Sequence, residues 1–274
     1  MRALKWFVLG LVLWNSSFCA INGSDEALPP IAQSEAPALL SEPAETAQAL
    51  NALRDMSDFL GAQGSFSFES DVNFDVVQPT GTKLEFGSTR KIVIRRPDRV
   101  YLIARQREGK EQTLYFDGSV LSIAVPDRES YASEALPGTV VTALDYLVEE
   151  IGVPAPLADL LHPDLYSELA PQVLSASWVG EDMLDGVACD HLVFRTAEVD
   201  FQLWIEQGER PLPTRVVITY RNYESAPQFR ASFHDWSLGA EVPNDRFIFA
   251  PPEGWLRLSI MELFEPSQSR SEEP

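Results

Sequence analysis

Apolar and polar residues alternate along residues 66–94. Phe66, Phe68, Val72, Phe74 and Val76 share one parity, and Ser67, Glu69, Asp71, Asn73 and Asp75 take the other. Successive side chains on a strand point to opposite faces, so this spacing predicts a strand with one greasy face. Pro79-Thr80-Gly81 supplies a turn, and Leu84, Phe86, Ile92 and Ile94 resume the alternation in a return strand. The result is a long hairpin with a shared apolar face. Further strands are expected over 100–105, 112–116 and 120–125, punctuated by Glu108-Gly109 and Asp117-Gly118. A second set is expected over 178–180, 187–195, 199–206, 214–220 and 229–236.

Helical spacing occurs in two places. Ala49, Leu53, Met56 and Leu60 predict an amphipathic helix over 45–60, stopped by Gly61 and Gly64. Leu144, Leu147, Val148 and Ile151 predict another over 140–151, and residues 156–161 start a shorter one. The order helix, strands, helices, strands argues for one antiparallel α+β domain and against a parallel βαβ design. Roughly 220 residues suit a single large β domain. No repeat of fixed period is visible, which argues against solenoids and propellers.

The ends of the chain read differently. Arg2 and Lys5 precede an apolar run over 6–14, and small and polar residues fill 15–20, the layout of a cleavable secretory signal. The run is too short for a bilayer, which takes about 20 apolar residues. Residues 1–20 are therefore expected to be a signal peptide, cut near Cys19 or Ala20, leaving no transmembrane span in a mature, periplasmic chain. Residues 21–44 are rich in Pro, Ala, Ser and Glu, with too little large apolar surface to offset the entropy of ordering them. They are expected to form a disordered leader, followed by a domain over 45–265 and a disordered tail over 266–274.

Charge and cysteine content narrow the partners. With 21 basic and 41 acidic residues the formal charge is −20, and loss of Arg2 and Lys5 with the signal takes it to −22. Such a field repels phosphate backbones and anionic lipid surfaces, which excludes nucleic acid as a partner. Colloidal solubility outside the cytoplasm accounts for the acidity. Lipid anchoring through Cys19 is disfavoured, because Phe18 stands where a lipobox needs a small residue. Once cleavage removes Cys19, Cys189 has no partner for an intramolecular disulfide.

Three short segments carry a resemblance. Arg95-Arg96-Pro97-Asp98-Arg99-Val100 closes the second strand of the hairpin, Leu114-Tyr115-Phe116-Asp117-Gly118-Ser119-Val120-Leu121 is a glycine-turn pair of strands, and Phe247-Ile248-Phe249-Ala250-Pro251-Pro252-Glu253-Gly254 lies near the end. In order and spacing they resemble the periplasmic lipoprotein carriers of the LolA/LolB-like fold, over about residues 45–258. Cys189-Asp190-His191-Leu192-Val193-Phe194-Arg195, Leu203-Trp204-Ile205-Glu206 and Pro211-Leu212-Pro213-Thr214-Arg215-Val216-Val217-Ile218-Thr219-Tyr220 are similar to a domain-of-unknown-function family of predicted periplasmic proteins usually grouped with that fold.

The resemblance implies an α+β protein whose antiparallel, strongly curved, incomplete β-barrel has helices covering its concave face. It implies that this half-barrel shields the acyl chains of a lipoprotein in transit. It implies, too, that Arg96 sits inside the cavity and bonds carbonyls of a lid, here the 140–161 region; an ion pair with an acidic neighbour at the strand end is the competing reading. The physics agrees, since a strongly curved sheet under helices leaves an interior too wide for side chains to fill. Burial gains about 0.8 kcal/mol per CH₂, so acyl chains need no hydrogen-bonding code.

Catalytic constellations are missing from the sequence. It contains no Gly-x-Ser-x-Gly elbow, His-Glu-x-x-His, phosphate-binding glycine loop or Cys-x-x-Cys pair, and is read as non-enzymatic, without cofactor. Cys189 and His191 share a strand face, but structural zinc needs four ligands, and a buried thiol beside a hydrogen-bonded histidine is favoured over a metal. His234 and Asp235 are neighbours on a strand and are expected to point to opposite faces. Asp145, Glu149 and Glu150 read as the wet face of a helix, and Trp178, Trp204 and Trp236 as core.

The first functional reading is a binding or carrier protein for a hydrophobic ligand, an acyl chain or lipid. Phe66, Phe68, Phe74, Leu84, Phe86, Ile92 and Ile94 are its expected lining, with Arg96 at the lid. The second is a structural or regulatory module, its barrel filled by its own side chains and its edges or acidic surface contacting an envelope protein. A cavity below about 300 Å³ favours the second reading. The chain is expected to act as a monomer.

Overall fold

The computed structural model describes residues 42–153 and 155–264; the expected signal peptide with Cys19, nearly all of the leader and the expected tail lie outside them. The predicted hairpin is β1 (Ser65–Val77) and β2 (Lys83–Arg95), paired from Ser65 with Arg95 to Val77 with Lys83. Gly81, at φ +80, turns the chain, and Gln78 N–H bonds the Thr82 carbonyl at 2.8 Å. β3 (Arg99–Gln106), β4 (Glu111–Phe116), β5 (Val120–Val125) and β6 (Ser130–Ala135) continue as a meander. β7 (Ser175–Leu184), β8 (Val187–Arg195), β9 (Val199–Glu206), β10 (Pro213–Tyr220) and β11 (Gln228–Leu238) form a second meander. β11 returns beside β1, and the short β12 (Leu256–Leu258) pairs with β6.

The twelve strands make one sheet in the order β12-β6-β5-β4-β3-β2-β1-β11-β10-β9-β8-β7. Its two edge strands do not meet, so the protein is an α+β half-barrel and not a closed barrel. All pairings are antiparallel except β12 with β6, a departure from the all-antiparallel expectation. β6 and β12 escape sequence reading for a physical reason. Ser-Tyr-Ala-Ser-Glu-Ala buries only Ser130 and Ala132 completely, and three residues are too few for a period.

Helix α1 (Pro43–Gly61) starts within the expected leader, because proline at the first helical position gives up no hydrogen bond. It buries Ala49, Leu53, Met56 and Leu60, the residues that predicted it. Its glycine has a tertiary role as well: a Cβ on Gly61 would collide with the Pro163 carbonyl oxygen. The helix predicted over 140–151 is α2 (Val140–Asp145) followed by a π turn over Tyr146–Glu150. A 3₁₀ turn (Ala158–Leu161), α3 (Leu165–Leu169) and, near the end of the described chain, α4 (Ile260–Phe264) follow, with further 3₁₀ turns at Pro126–Arg128, Ala170–Gln172 and Asn244–Phe247.

One apolar cluster joins α1, the inward faces of both meanders, the 140–169 region and Ile260 and Leu263 of α4, so the helices cover the concave face of the sheet. A smaller cluster of Val93, Tyr101 and Phe247 lies on the other face, using the opposite parity of β2 and β3.

Candidate functional site

The concave face is not filled everywhere. An apolar hollow of about 110 Å³ remains between β3–β5 and the segment over 140–161. Val100, Leu102 and Ala104 of β3, with Leu114 and Ile123 of the next two strands, form its floor. Ala143, Leu144, Leu147 and Leu161 form its roof, and Phe264 of α4 closes one side. A cavity of about 150 Å³ is enough for one benzene ring, so the hollow is of fragment size.

Two backbone contacts at one corner hold the roof. The Pro97 carbonyl accepts from Val140 N–H at 2.9 Å, and Arg96 Nη1 donates to the Leu161 carbonyl at 2.8 Å. The Arg96-Pro97 corner after β2 therefore pins both ends of the lid. Arg96 also sits 5.5 Å from the centroid of the Phe66 ring, while its Nε and Nη2 are buried without partners. Burial lowers its pKa, but guanidinium stays charged in proteins. Further ties are a Thr139–Thr142 capping box at the start of α2, a Tyr146 hydroxyl bond to Glu134 of β6, and Arg128 Nη1 on the Leu263 carbonyl at 2.8 Å. The bond to Glu134 pushes the Tyr146 pKa up to about 12.

The expected lining residues divide into two groups. Phe66, Phe68, Ile92 and Ile94 are fully buried in the packed part of the core, where Phe68 and Trp236 stack at 4.5 Å. Phe74 and Phe86 stack at 6.1 Å near the hairpin tip, both half-buried, and Leu84 is 41% exposed beyond them. None of the seven, nor Arg96, is among the residues around the hollow, which lies one to three strands further along the sheet. Alternation identifies a strand's inward face but not which strands face an unfilled space.

Arg90 has no counterpart in the sequence-based expectations. It lies on the inward parity of β2, lines the hollow, and has a buried Nε with no partner. Its sequence signal is the one charged residue on a parity that otherwise reads Leu84, Phe86, Ser88, Ile92 and Ile94.

On the lid's outer side, Asp145, Asp159, His162 and Glu168 surround a second, smaller cavity of about 50 Å³. Asp159 Oδ2 is buried without a partner. Burial, with a contribution from Glu168, raises the Asp159 pKa to about 7.

The remaining candidates resolve locally. Cys189 is buried with its Sγ 3.3 Å from Thr214 Oγ1, and burial raises its pKa. His191 stacks on Trp204 at 4.1 Å and bonds Gln202 at 3.0 Å. His234 and Asp235 do meet, contrary to the strand geometry expected: the register shifts opposite Glu69, Asp235 takes φ +53, and Nδ1 lies 2.9 Å from Oδ2. Ligand atoms of Glu69, His234 and Asp235 lie within 4.8 Å of one another, but Lys91 already neutralises Glu69 at 2.8 Å. The Phe247–Gly254 motif straps the convex face: Phe247 is buried there, Arg246 sits 4.0 Å over the Tyr101 ring, and Phe249 packs between Tyr115 and Tyr131.

Fold and hollow together define a class, an open α+β half-barrel whose concave face keeps apolar space under a pinned lid. The chain belongs to the family described as predicted periplasmic protein (DUF2092), whose model matches residues 49–261. Among solved structures it is similar to LprF from Mycobacterium bovis, at 15% identity and a TM-score of 0.46, covering 73% of this chain and 96% of that one. It is similar to lipoprotein LppX of Mycobacterium tuberculosis, at 11% identity and a TM-score of 0.45, covering 72% and 99%. A LolA superfamily protein from Nitrosomonas europaea is similar at 12% identity and a TM-score of 0.32, covering 73% and 97%. No curated protein matches the chain in sequence.

Proposed function

We propose that this periplasmic protein is a non-enzymatic carrier that holds an acyl chain or lipid against its concave face, beneath the lid over 140–161. The observation that supports it most directly is the unfilled apolar hollow, bounded above by short elements and not by a long packed helix. Each CH₂ buried there gains about 0.8 kcal/mol, so shape and greasiness suffice for binding. The closed volume of about 110 Å³ is below the roughly 300 Å³ of preformed ligand pockets, so carriage requires the lid to open. The lid is suited to opening: a π turn interrupts it at Tyr146–Glu150, and among the described residues one side-chain hydrogen bond, from Arg96, ties its far end. On this reading Phe74, Leu84 and Phe86 form an apolar rim at the hairpin tip, and Arg96 is the latch.

The small volume favours a second reading, a filled half-barrel that contacts an envelope protein. Exposed Leu174, Val179 and Met183, at and beside the β7 edge, offer it a surface. Solvent extraction and mass spectrometry of protein purified from the periplasm separate the two. Co-purified lipid, or saturable uptake of a fluorescent fatty acid, is the result expected of a carrier. Absence of both leaves the filled module.

A further inference from the structure

Cross-strand registers divide the concave face into rungs. Phe68, Ile92, Leu102, Leu114 and Ile123 form one rung across β1–β5, and Phe66, Ile94, Val100, Phe116 and Leu121 form the next. Both are wholly apolar. The rung on the other side reads Ser70, Arg90, Ala104 and Gln112 across β1–β4. Arg90, Ala104 and Gln112 all line the hollow, so one end of an otherwise greasy space is polar.

That polar end is electrically incomplete. Among the described residues no carboxylate pairs with Arg90, its Nε is buried without a partner, and Ser70 Oγ opposite it is buried without a partner as well. Burial pulls the Arg90 pKa down to about 10, which leaves it charged at neutral pH. Arg90 is half-buried as a residue, and a cation drawn away from water at its Nε with no carboxylate beside it is costly, so such groups in native structures are usually paired. Ala104, between Arg90 and Gln112, leaves the space beside the guanidinium empty of side chain.

We propose that the hollow takes an anionic amphiphile, with its carboxylate or phosphate head on Arg90 and its hydrocarbon chain along the β3–β5 part of the two apolar rungs, beneath the lid. This rests on the acyl-binding reading and adds the chemistry of the head group. Guanidinium suits either anion, because its planar fork matches two oxygens at once. The Ser70–Gln112 rung lies toward the hairpin tip from the apolar rungs, so the head is held on the rim side and the chain points inward.

The test is displacement of the neutral dye Nile red from the full mature chain by dodecanoate, dodecyl phosphate and dodecanol, which share one chain and differ in head. Wild type is expected to bind at least one of the two anions ~10-fold or more tighter than dodecanol, the difference expected for a buried charged hydrogen bond. The tighter of the two anions names the head. Arg90→Met is expected to bring the anions to the level of dodecanol without weakening dodecanol, and its melting temperature should equal or exceed that of wild type. Should Arg90→Met fail to fold, Arg90→Lys decides by keeping the preference for anions. Equal binding of all three ligands by wild type, or an anion preference that survives in folded Arg90→Met, overturns the head-group assignment while leaving acyl binding intact. Binding of none of the three overturns the acyl reading and this inference together.

Discussion

Arg96 and Gly61 act on the lid from opposite sides, one by a bond it makes and the other by an atom it lacks. Arg96→Gln removes the donor to the Leu161 carbonyl, and lost hydrogen bonds from charged groups cost about 1.5–3 kcal/mol. The expected outcome is a loss in that range on urea denaturation, with faster hydrogen exchange confined to residues 155–162. Uniform loss of protection across the sheet would instead make Arg96 a global strut. Gly61→Ala forces a methyl group against the Pro163 carbonyl, and overpacking of this kind costs about 1–3 kcal/mol. A melting temperature unchanged by Gly61→Ala would contradict the close approach. These two positions differ in legibility. Gly61 is visible in the sequence as a helix stop, but its contact with Pro163, about a hundred residues away, is not. Arg96 is visible only through a motif, since nothing in local spacing says that a strand-end arginine turns toward a lid.

At the scale of elements, composition and period decide what can be read in advance. β5, β8 and β9 match their expected ranges at both ends because each is a run rich in β-branched, aromatic and other apolar residues bounded by turn-forming glycines. β6, β12, α3 and α4 are too short or too mixed to show a period, and tertiary packing makes them. The lid has the same character, and it carries a pH dependence. Asp159 titrates near 3.8 unfolded and about 7 folded. Below about pH 4 it is protonated in both states and burial costs nothing; above about 7 it is charged in both and the full penalty applies. Stability should therefore fall as pH rises from about 4 to 7. The facing groups are Glu168, Tyr220, Asp145 and His162. His234, its pKa raised by Asp235, loses stability in the same direction, so the comparison with Asp159→Asn isolates the lid. That variant should melt above wild type at pH 8 and level with it at pH 4. Equal pH profiles for the two proteins would remove Asp159 from the account.

For the whole molecule, the fold class was legible and the position of the hollow was not. Strand order along the chain implies an antiparallel α+β sheet, and the two meanders joined through β1 and β11 bear this out. Which rungs remain unfilled depends on how the 140–161 segment sits, a consequence of contacts distant in sequence. The first hairpin has the strongest alternation because Phe66, Phe68, Ile92 and Ile94 are its best-packed residues, and tight packing leaves no room for a guest. Filling the hollow tests this at molecular scale. Ala104→Phe, pointing into the space under the lid, should abolish fatty-acid uptake while keeping a cooperative melt, whereas Phe74→Ala at the rim should weaken uptake by less. Equal losses from the two would shift the site toward the hairpin.

The central claim is that ligand lies between β3–β5 and the lid. The most direct measurement is photo-cross-linking with a fatty acid carrying a diazirine near its chain end, followed by peptide mapping. The account predicts adducts on Leu102, Leu114, Leu144, Leu147 or Phe264, competed away by unlabelled fatty acid. Adducts confined to the convex strap around Phe249 or to the β7 edge, or none above background, would contradict it.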